Sequence, residues 1–458
     1  MFRNYFLTAW RNMLKTKGYT ALNISGLGIG MAIALIIGLW VYDQYRYDKF
    51  LPDYQQAYQV RRNFNSNGET LNFTSTSLKL ADALRHDIPE IEYVAESGGG
   101  GHGVLMVADK KFYLKQLIIG SDFLQMFRFP LEEGNPATVL KDPYSVVLTR
   151  STAISLFGHQ DPIGKMVRID NKNNLKVTGV LKDVPYNSSF QFDYLVPFSY
   201  AEATNDWIKN ARHDGYSGNS FIIYVKLQDG IPYTQVAPKI KDIEHTEKGS
   251  SNAMLSEVVL QPLANWHLYG NYVNGKETGG FLEYVRMFSI IGSLVLLIAC
   301  INFINLTTAR SEKRAREVGV RKAIGSQRRD LIIQFMAESF LLTILAFLFA
   351  LLLVRLALPS FNALTSGDIY IPWSSAVFWL IMFMSVLITA IIAGSRPAFY
   401  LSSFNPVKVL KGGALVGKTA SLPRKILVVA QFSCSIAFRY WASRSGVGPG
   451  CSGSGFRL

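Results

Sequence analysis

The chain has 458 residues, of which 49% are hydrophobic, and it carries a net charge of +14 at pH 7. The charge is concentrated: residues 43–283 hold 24 basic and 28 acidic residues, a net of −4, which leaves +18 on the remaining segments. Those segments flank long apolar runs, so the composition predicts a membrane protein with cytosolic basic segments rather than a nucleic-acid-binding protein. None of the three cysteines lies in 43–283, which excludes a disulfide framework there.

The N-terminal region predicts two helices. In residues 1–17, Phe2, Phe6, Trp10 and Leu14 follow an i, i+4 spacing among basic residues, a pattern typical of an amphipathic helix on the inner leaflet. Residues 18–42 contain no charge and are long enough to cross a hydrocarbon core of ~30 Å. This run is too long for the apolar part of a signal peptide, so we predict a retained first span.

Residues 43–283 change to short alternating runs between turn residues, and they predict a mixed α/β extracytoplasmic domain. The predicted strands and helices intermix along this region, and they are 57–64, 78–87, 91–96, 146–157 (strand then helix), 165–170 with 176–181 as a hairpin, and 221–227. The region would therefore be inserted between the first and second membrane spans.

Three further spans are predicted at 287–309, 332–357 and 373–395, with a short outer loop at 358–372. The third has only 16 uncharged residues, and it reaches spanning length if Glu338 and Arg355 lie at opposite interfaces. Four spans return the chain to the side where it began. The basic segments then place the N-terminus and residues 396–425 in the cytosol.

Residues 310–330, between the second and third spans, hold eight basic and three acidic residues and predict a cytoplasmic helix. Glu312 with Arg316 and Glu317 with Arg321 form favourable i, i+4 pairs, and Gly325 can end the helix. A loop that only sets topology needs charge alone. Because this segment adds helical order and the apolar Val320 and Ile324, we favour a docking element for a cytosolic partner.

The C-terminal region predicts a basic linker at 396–425, the start of a fifth span at 426–438 and a Gly/Ser-rich tail at 439–458. Thirteen apolar residues cannot span a bilayer, so we expect a truncation or a change of reading frame near Ala437. Residues 412–419 match the Walker A pattern, but Pro423 interrupts the helix that this motif requires. A basic linker is the better interpretation.

Other motifs give no catalytic or metal site. Gly98, Gly100 and Gly103 fit a dinucleotide-binding spacing, but no helix follows, so we predict a flexible loop. The six histidines show no metal-ligand spacing, and each is predicted to lie on the surface or in a loop. We therefore expect no catalytic, cofactor-binding or metal-binding residue in this chain.

Several segments together resemble the FtsX-like, MacB-type ABC transporter permeases. The resemblance rests on Glu317-Val-Gly-Val-Arg-Lys-Ala-Ile-Gly325, Gln334-Phe-Met-Ala-Glu-Ser339, Gly394-Ser-Arg-Pro-Ala398, Asn405-Pro-Val-Lys-Val-Leu410, and, in the outer domain, Tyr144-Ser-Val-Val-Leu-Thr149 and Asp161-Pro-Ile-Gly-Lys165. It covers residues 1 to about 438 and implies an integral membrane fold of four helical spans plus an aborted fifth, with a MacB-like domain between spans 1 and 2.

The resemblance also implies a function. A separate ABC-type ATPase, which binds ATP and Mg²⁺, would dock on a coupling helix formed by Glu317, Val318, Gly319, Val320, Arg321, Lys322, Ala323, Ile324 and Gly325. Its hydrolysis would move the outer domain, for efflux or for mechanotransmission. The implied location is the bacterial inner membrane. The implied partners are lipid, a second permease half or copy, and a periplasmic adaptor as a further candidate.

Two alternatives stay open. The same machinery could control an extracytoplasmic cell-envelope hydrolase, as an FtsX-like signalling regulator. A membrane-anchored enzyme with its active site in 43–283 is a second alternative, but the sequence offers no nucleophile with a base and an orienting group to support it.

Overall fold

A computed structural model describes residues 2–216, 218–246 and 254–402. The chain divides into two compact units. Asp43–Val285 forms one unit, which we name the outer domain. The segments Met1–Tyr42 and Arg286–Leu458 form the other, which we name the membrane unit. The Walker-like residues, the predicted start of a fifth span and the tail fall outside the described residues. Of the predicted basic linker 396–425 only residues 396–402 are described, and they are helical rather than a linker.

Five helices make up the described part of the membrane unit, and two of them continue into the outer domain. They are α1 (Phe2–Lys15), α2 (Lys17–Gln44), α10 (Phe281–Ala323), α11 (Arg328–Thr365) and α12 (Ala376–Ser402). Among the described residues, three segments are long and apolar enough to cross a membrane: Lys17–Gln44, Phe281–Thr307 and Arg328–Thr365. The apolar part of α12, Ala376–Ile392, is shorter, so the fourth span stays a prediction.

Two boundaries differ from the predicted ones. The segment 310–330, predicted as one separate helix, is in the structure the end of α10, a turn, and the first residues of α11. The predicted outer loop 358–372 is helical as far as Thr365, because the apolar pattern continues past Pro359 and Asn362 then closes the helix end. The Asn362 side chain bonds the backbone N–H and C=O of Ile369 at 3.1 and 2.9 Å.

Small residues allow the membrane-unit helices to approach one another closely. Ala346 and Ala350, one turn apart on α11, are fully buried, and α11 packs against both α1 and α12. Helix α1 contributes Ala9 and Met13 to this core, while its Trp10 and Leu14 stay exposed. The predicted amphipathic helix therefore has one face packed on protein and an apolar stripe directed away from it.

The outer domain is built on one eleven-stranded mixed sheet and a separate two-stranded hairpin, as the predicted α/β class requires. Its strands are β1 (Ala57–Ser66), β2 (Glu69–Phe73), β3 (Ile91–Val107), β4 (Lys110–Ile119), β5 (Leu131–Glu133), β6 (Ser145–Thr149), β7 (Met166–Ile169), β8 (Asn173–Leu181), β9 (Tyr194–Pro197), β10 (Ile222–Leu227), β11 (Ser256–Pro262), β12 (Asn271–Val273) and β13 (Lys276–Gly279). The main path through the large sheet is β11-β1-β10-β3-β4-β9-β6-β8-β5, with β2 beside β1 and β7 between β3 and β8.

Helices cover this sheet and complete its hydrophobic cores. They are α3 (Leu78–Asp87), α4 (Phe123–Phe127), α5 (Arg150–Phe157), α6 (Phe198–Thr204), α7 (Asp206–Ala211), α8 (Tyr233–Ile240) and α9 (Leu263–Trp266), with a 3₁₀ turn at Ile243–Thr246. The largest aromatic cluster surrounds Phe123, Phe127 and Phe190, whose rings lie 4.8–5.1 Å apart. Aromatic rings at these distances, with their planes inclined to one another, attract each other, and this attraction adds to the stabilisation from the apolar area that they bury.

The glycine-rich segment at 98–103 is not a loop, so that prediction is wrong. It continues β3, where Gly100 to Gly103 pair in antiparallel register with β4. A Cβ atom at Gly103 would lie 2.3 Å from the Tyr194 hydroxyl oxygen, so only a residue without a side chain fits at this position. Strand pairing satisfies the backbone groups that the local sequence alone would leave open.

Candidate functional site

The first candidate site is the turn that joins α10 to α11, which we name the coupling turn (residues 320–328). Ile324 donates its backbone N–H to the Val320 carbonyl at 3.1 Å, and Gly325 donates to the Lys322 carbonyl at 3.1 Å. Gly325 has φ +102, a conformation that favours glycine and ends the helix. The chain then turns through Gln327 and begins α11 at Arg328.

Two apolar side chains of the coupling turn face away from the packed core. Val320 is 43% exposed and Ile324 is 81% exposed, one helical turn apart. Of the nine predicted docking residues, the structure describes the side chains of these two and of Lys322; Glu317, Val318, Gly319, Arg321 and Ala323 are described only as helical backbone. Exposed Arg328 and Arg329 follow. The apolar pair thus lies close to basic residues along the chain.

The second candidate site, which we name the neck, lies within the outer domain and consists of residues 43–48, 186–189, 267–268 and 281–282. The last residues of α2 are Asp43 and Gln44. The Tyr186 hydroxyl donates a short hydrogen bond to Asp43, and His267 Nε2 lies 2.8 Å from Gln44 Oε1. Because an amide oxygen only accepts, His267 donates its Nε2–H here, which assigns the tautomer. The end of α2 is thus held by two separate segments of the outer domain.

His267 is at the centre of the neck. Its ring stacks on Tyr47, with ring centroids 3.5 Å apart and an angle of 3° between the planes, and it also meets Phe281 at 5.0 Å. Phe281 is the first residue of α10. Burial lowers the pKa of His267 to about 4, so the ring is neutral at pH 7. The ring therefore contacts residues at the outer ends of both α2 and α10.

The start of α10 is attached to the same segment. Leu282 donates its backbone N–H to the Leu268 carbonyl at 2.9 Å, and the Leu282 and Val285 side chains are buried. The last residue of α2 and the first residues of α10, which belong to the outer domain, are consequently both bound to residues 267–268.

Asp48 fixes the chain just after α2. Its carboxylate accepts hydrogen bonds from the Ser189 backbone N–H at 2.7 Å and from the hydroxyls of Ser188 and Ser189. The side chain is fully buried, and burial raises the pKa of Asp48 despite these three bonds. Asp48 has φ 59, a conformation that Asp tolerates better than most residues. Ser188 and Ser189 thus hold the chain just after α2, in addition to the contacts of Tyr186 and His267.

Two further buried cationic side chains of the outer domain, on β10 and β1, pair with carboxylates. Lys226 on β10 is almost fully buried and contacts Asp53 at 3.1 Å and Glu92 at 3.0 Å. Burial alone would lower the pKa of Lys226, but the two carboxylates outweigh this and raise it. Arg62 on β1 pairs with the buried Glu244 at 2.7 Å.

Within the described residues, no group of three or more His, Cys, Asp or Glu could hold a metal ion.

Sequence reasoning missed the neck. His267 lies in the turn after α9, which agrees with the prediction of a surface or loop position, but its half-buried ring contacts two aromatic rings that the sequence did not indicate. The one local signal was that Asp43 and Gln44 follow the aromatic Trp40 and Tyr42 at the end of a span. Nothing local joins them to a histidine 223 residues away in the chain.

Comparison with known proteins identifies the class. Residues 20–243 match the MacB-like periplasmic core domain, and residues 289–406 match the FtsX-like permease C-terminal domain. The chain therefore belongs to the MacB-type, FtsX-like ABC transporter permease family, and the predicted resemblance is confirmed.

Individual relatives are distant. The chain is 24% identical over 356 residues to the macrolide export ATP-binding/permease protein MacB of Bdellovibrio bacteriovorus, covering 73% of this chain and 49% of that protein. It is 24% identical over 422 residues to the pyoverdine export ATP-binding/permease protein PvdT of Pseudomonas syringae pv. tomato, covering 88% and 58%. An uncharacterized ABC transporter permease of Methanocaldococcus jannaschii is 22% identical over 321 residues, covering 68% and 74%. The chain thus spans about half the length of the first two relatives.

Proposed function

We propose that this chain is a permease subunit that couples ATP hydrolysis by a separate ABC-type ATPase to motion of the outer domain. The ATPase binds ATP and Mg²⁺ and docks at residues 317–325. The observation that carries the proposal is the neck, where residues 267–268 bind the outer ends of both α2 and α10. In this proposal, movement of either helix acts on residues 267–268, because α2 and α10 each have one end in the outer domain.

The coupling turn supplies the other end of this path. Helix α10 runs without interruption from Phe281 in the neck to Ala323 at the turn, 43 residues or about 65 Å. In this proposal, a force applied at Val320 acts on the same helix whose first turn contains Leu282. In this proposal the N-terminus and the coupling turn lie in the cytosol of a bacterial cell, and four spans cross the inner membrane. A second permease half, which is either another copy of this chain or a different chain, lies beside them.

A co-purification experiment tests the docking assignment. The affinity-tagged chain is extracted from its native membrane, and co-purifying ATP-binding subunits are identified by mass spectrometry. We expect Ile324→Asp to reduce recovery of the ATPase at least tenfold, because it places a charge at the most exposed apolar residue of the turn. Gly319→Trp and Arg321→Glu are expected to act similarly.

Leu364→Asp is the matched control, since Leu364 is 74% exposed at the other end of α11. It should leave recovery of the ATPase unchanged. Equal recovery from the wild type, Ile324→Asp and Arg321→Glu, at equal membrane insertion, contradicts the docking assignment.

The same coupling could drive export or could control a cell-envelope hydrolase outside the membrane. Deletion of the ATPase gene distinguishes these roles. Loss of resistance to a panel of exported compounds, with wall-hydrolase activity unchanged, supports efflux, whereas loss of hydrolase activity alone supports the regulatory alternative.

A further inference from the structure

The membrane unit contains an apolar groove with no role in the coupling path described above. Its volume is about 310 Å³, and its walls come mainly from α2 and α12, with Leu296 of α10 and Phe347 of α11 closing it. The hydroxyl-bearing residues in its lining are Tyr42, Ser375, Ser385 and Thr389; every other lining residue is apolar or glycine. A ligand for this groove must therefore be predominantly hydrocarbon.

The length of the groove corresponds to one leaflet. On α2 the lining extends from Met31 to Tyr42, eleven helical steps, or about 16 Å. Half of the hydrocarbon core of a bilayer is about 15 Å. Tyr42 lies at the end of α2 that leads into the outer domain, so the groove occupies the leaflet on that side, which is the outer leaflet in the proposed topology.

An extended hydrocarbon chain suits this lining, because it carries no polar group along its length. A helix of a second copy is the alternative occupant, and the experiment below distinguishes the two.

The groove is continuous with the surface that faces lipid. Val377 and Ile381 of α12 line it and are also 67% and 57% exposed, on a helix whose exposed residues are almost all apolar. A lipid beside α12 can therefore pass one chain inward without crossing a polar barrier. Tyr42 and Ser375 then lie near the polar end of that lipid.

From the apolar lining, the length of the groove and its opening toward the lipid-facing surface, we infer that the groove binds one acyl chain of an outer-leaflet phospholipid, with the chain end near Met31 and Thr389. The assignment to the outer leaflet rests on the proposed function and its topology. The bound chain separates α2 from α12. Because α2 continues to Gln44 in the neck, occupancy of the groove changes the packing of a helix that transmits motion to the outer domain.

Gly38 provides a direct test, because it lines the groove and a Cβ atom there would meet nothing within 4 Å. Gly38→Phe is therefore expected to place its ring in the groove. The control is Ile33→Phe on the same helix, at a position that is 41% exposed and outside the lining. Ser385→Leu fills the groove from α12 and serves as a second variant should Gly38→Phe fold poorly.

The full chain is placed in nanodiscs with a phospholipid that carries a diazirine at the end of one acyl chain. After photolysis, labelled residues are mapped by mass spectrometry. We expect labelling around Met31 and Thr389 to exceed labelling of exposed Leu348 and Leu352, and to fall at least fivefold in Gly38→Phe or Ser385→Leu but not in Ile33→Phe.

Equal labelling of groove and exposed positions, unchanged by Gly38→Phe and Ser385→Leu, indicates only annular lipid and overturns the proposal. An unlabelled groove, with disulfide capture between cysteines placed at Ile381 in two copies, indicates that a second chain covers it and also overturns the proposal. No ATPase is present in this experiment, so its result is independent of whether the docking assignment is correct.

Discussion

Replacing His267 by phenylalanine should remove most of the decrease in outer-domain stability that protonation of this histidine causes at acidic pH. Phenylalanine keeps an aromatic ring against Tyr47 and Phe281, but it removes the titratable nitrogen and the hydrogen bond to Gln44. The variant therefore separates the titration of His267 from its packing. The perturbation is confined to one side chain in the outer domain.

The sign and size follow from the pKa of His267, which is 6.5 without the fold and about 4 within it. As the pH falls below 6.5, the unfolded chain binds a proton before the folded domain does, so the free energy of unfolding decreases. Between about pH 7.5 and about pH 4.5 this single group lowers it by about 2.5 kcal/mol. The loss is complete below the folded pKa, and stability is fully present above 6.5.

The assay is urea unfolding of the isolated outer domain, residues 43–285, followed by far-UV circular dichroism at both pH values. With an m-value of about 3 kcal/mol/M, the wild type should lose about 0.8 M in midpoint more than His267→Phe. The raised pKa of Asp48 acts in the opposite direction, because the folded domain then binds that proton first, but both proteins share this effect. Midpoints that shift equally with pH in the two proteins would refute the burial of a neutral histidine in the neck.

Two further predictions concern the sheet of the outer domain. Lys226→Ala should lower the free energy of unfolding by about 2–3 kcal/mol, because it leaves two carboxylates without their buried cation. Glu92→Gln, on the solvated side of the pair, should lower it by less than about 1 kcal/mol. Equal losses for the two variants in urea unfolding would contradict the assigned burial. Gly103→Ala should lower the free energy of unfolding by about 1–3 kcal/mol, because its Cβ would approach Tyr194 closely. Gly101→Ala has open space around its Cβ and should change the free energy of unfolding by no more than about 0.5 kcal/mol. Thermal melts in which Gly101→Ala is the less stable variant would contradict the strand register.

Much of the local structure of the outer domain could be predicted from the sequence. Helix α3 covers the predicted residues 78–87, and Ser77 caps it by accepting a hydrogen bond from the Leu80 backbone N–H. The predicted strand-then-helix at 146–157 is β6 followed by α5, and the predicted hairpin is β7 with β8. These elements depend on periodicity and turn residues within a few positions of one another, which one chain displays directly.

Strand order and the neck could not be predicted in the same way. Strand β1 pairs with β10 and β11, about 160 and 200 residues later in the chain, and no local pattern specifies those partners. The glycines of β3 suggested a loop because nothing nearby in sequence indicates that β4 and the Tyr194 hydroxyl occupy the space beside them. His267 likewise became a site residue only through Gln44, Tyr47 and Phe281.

The sequence by itself determined the apolar spans, the basic turn between two of them, the α/β character of the inserted domain and the permease family, since these depend on composition, local period and short motifs. Only the tertiary structure decided that α10 is one continuous helix to the coupling turn, that residues 267–268 bind the ends of both helices at the neck, and that an apolar groove opens beside α2. Each of these depends on contacts between segments far apart in the chain or on the exact end of a helix. Hydrophobic patterning restricts which faces are buried, but it does not specify which buried faces meet.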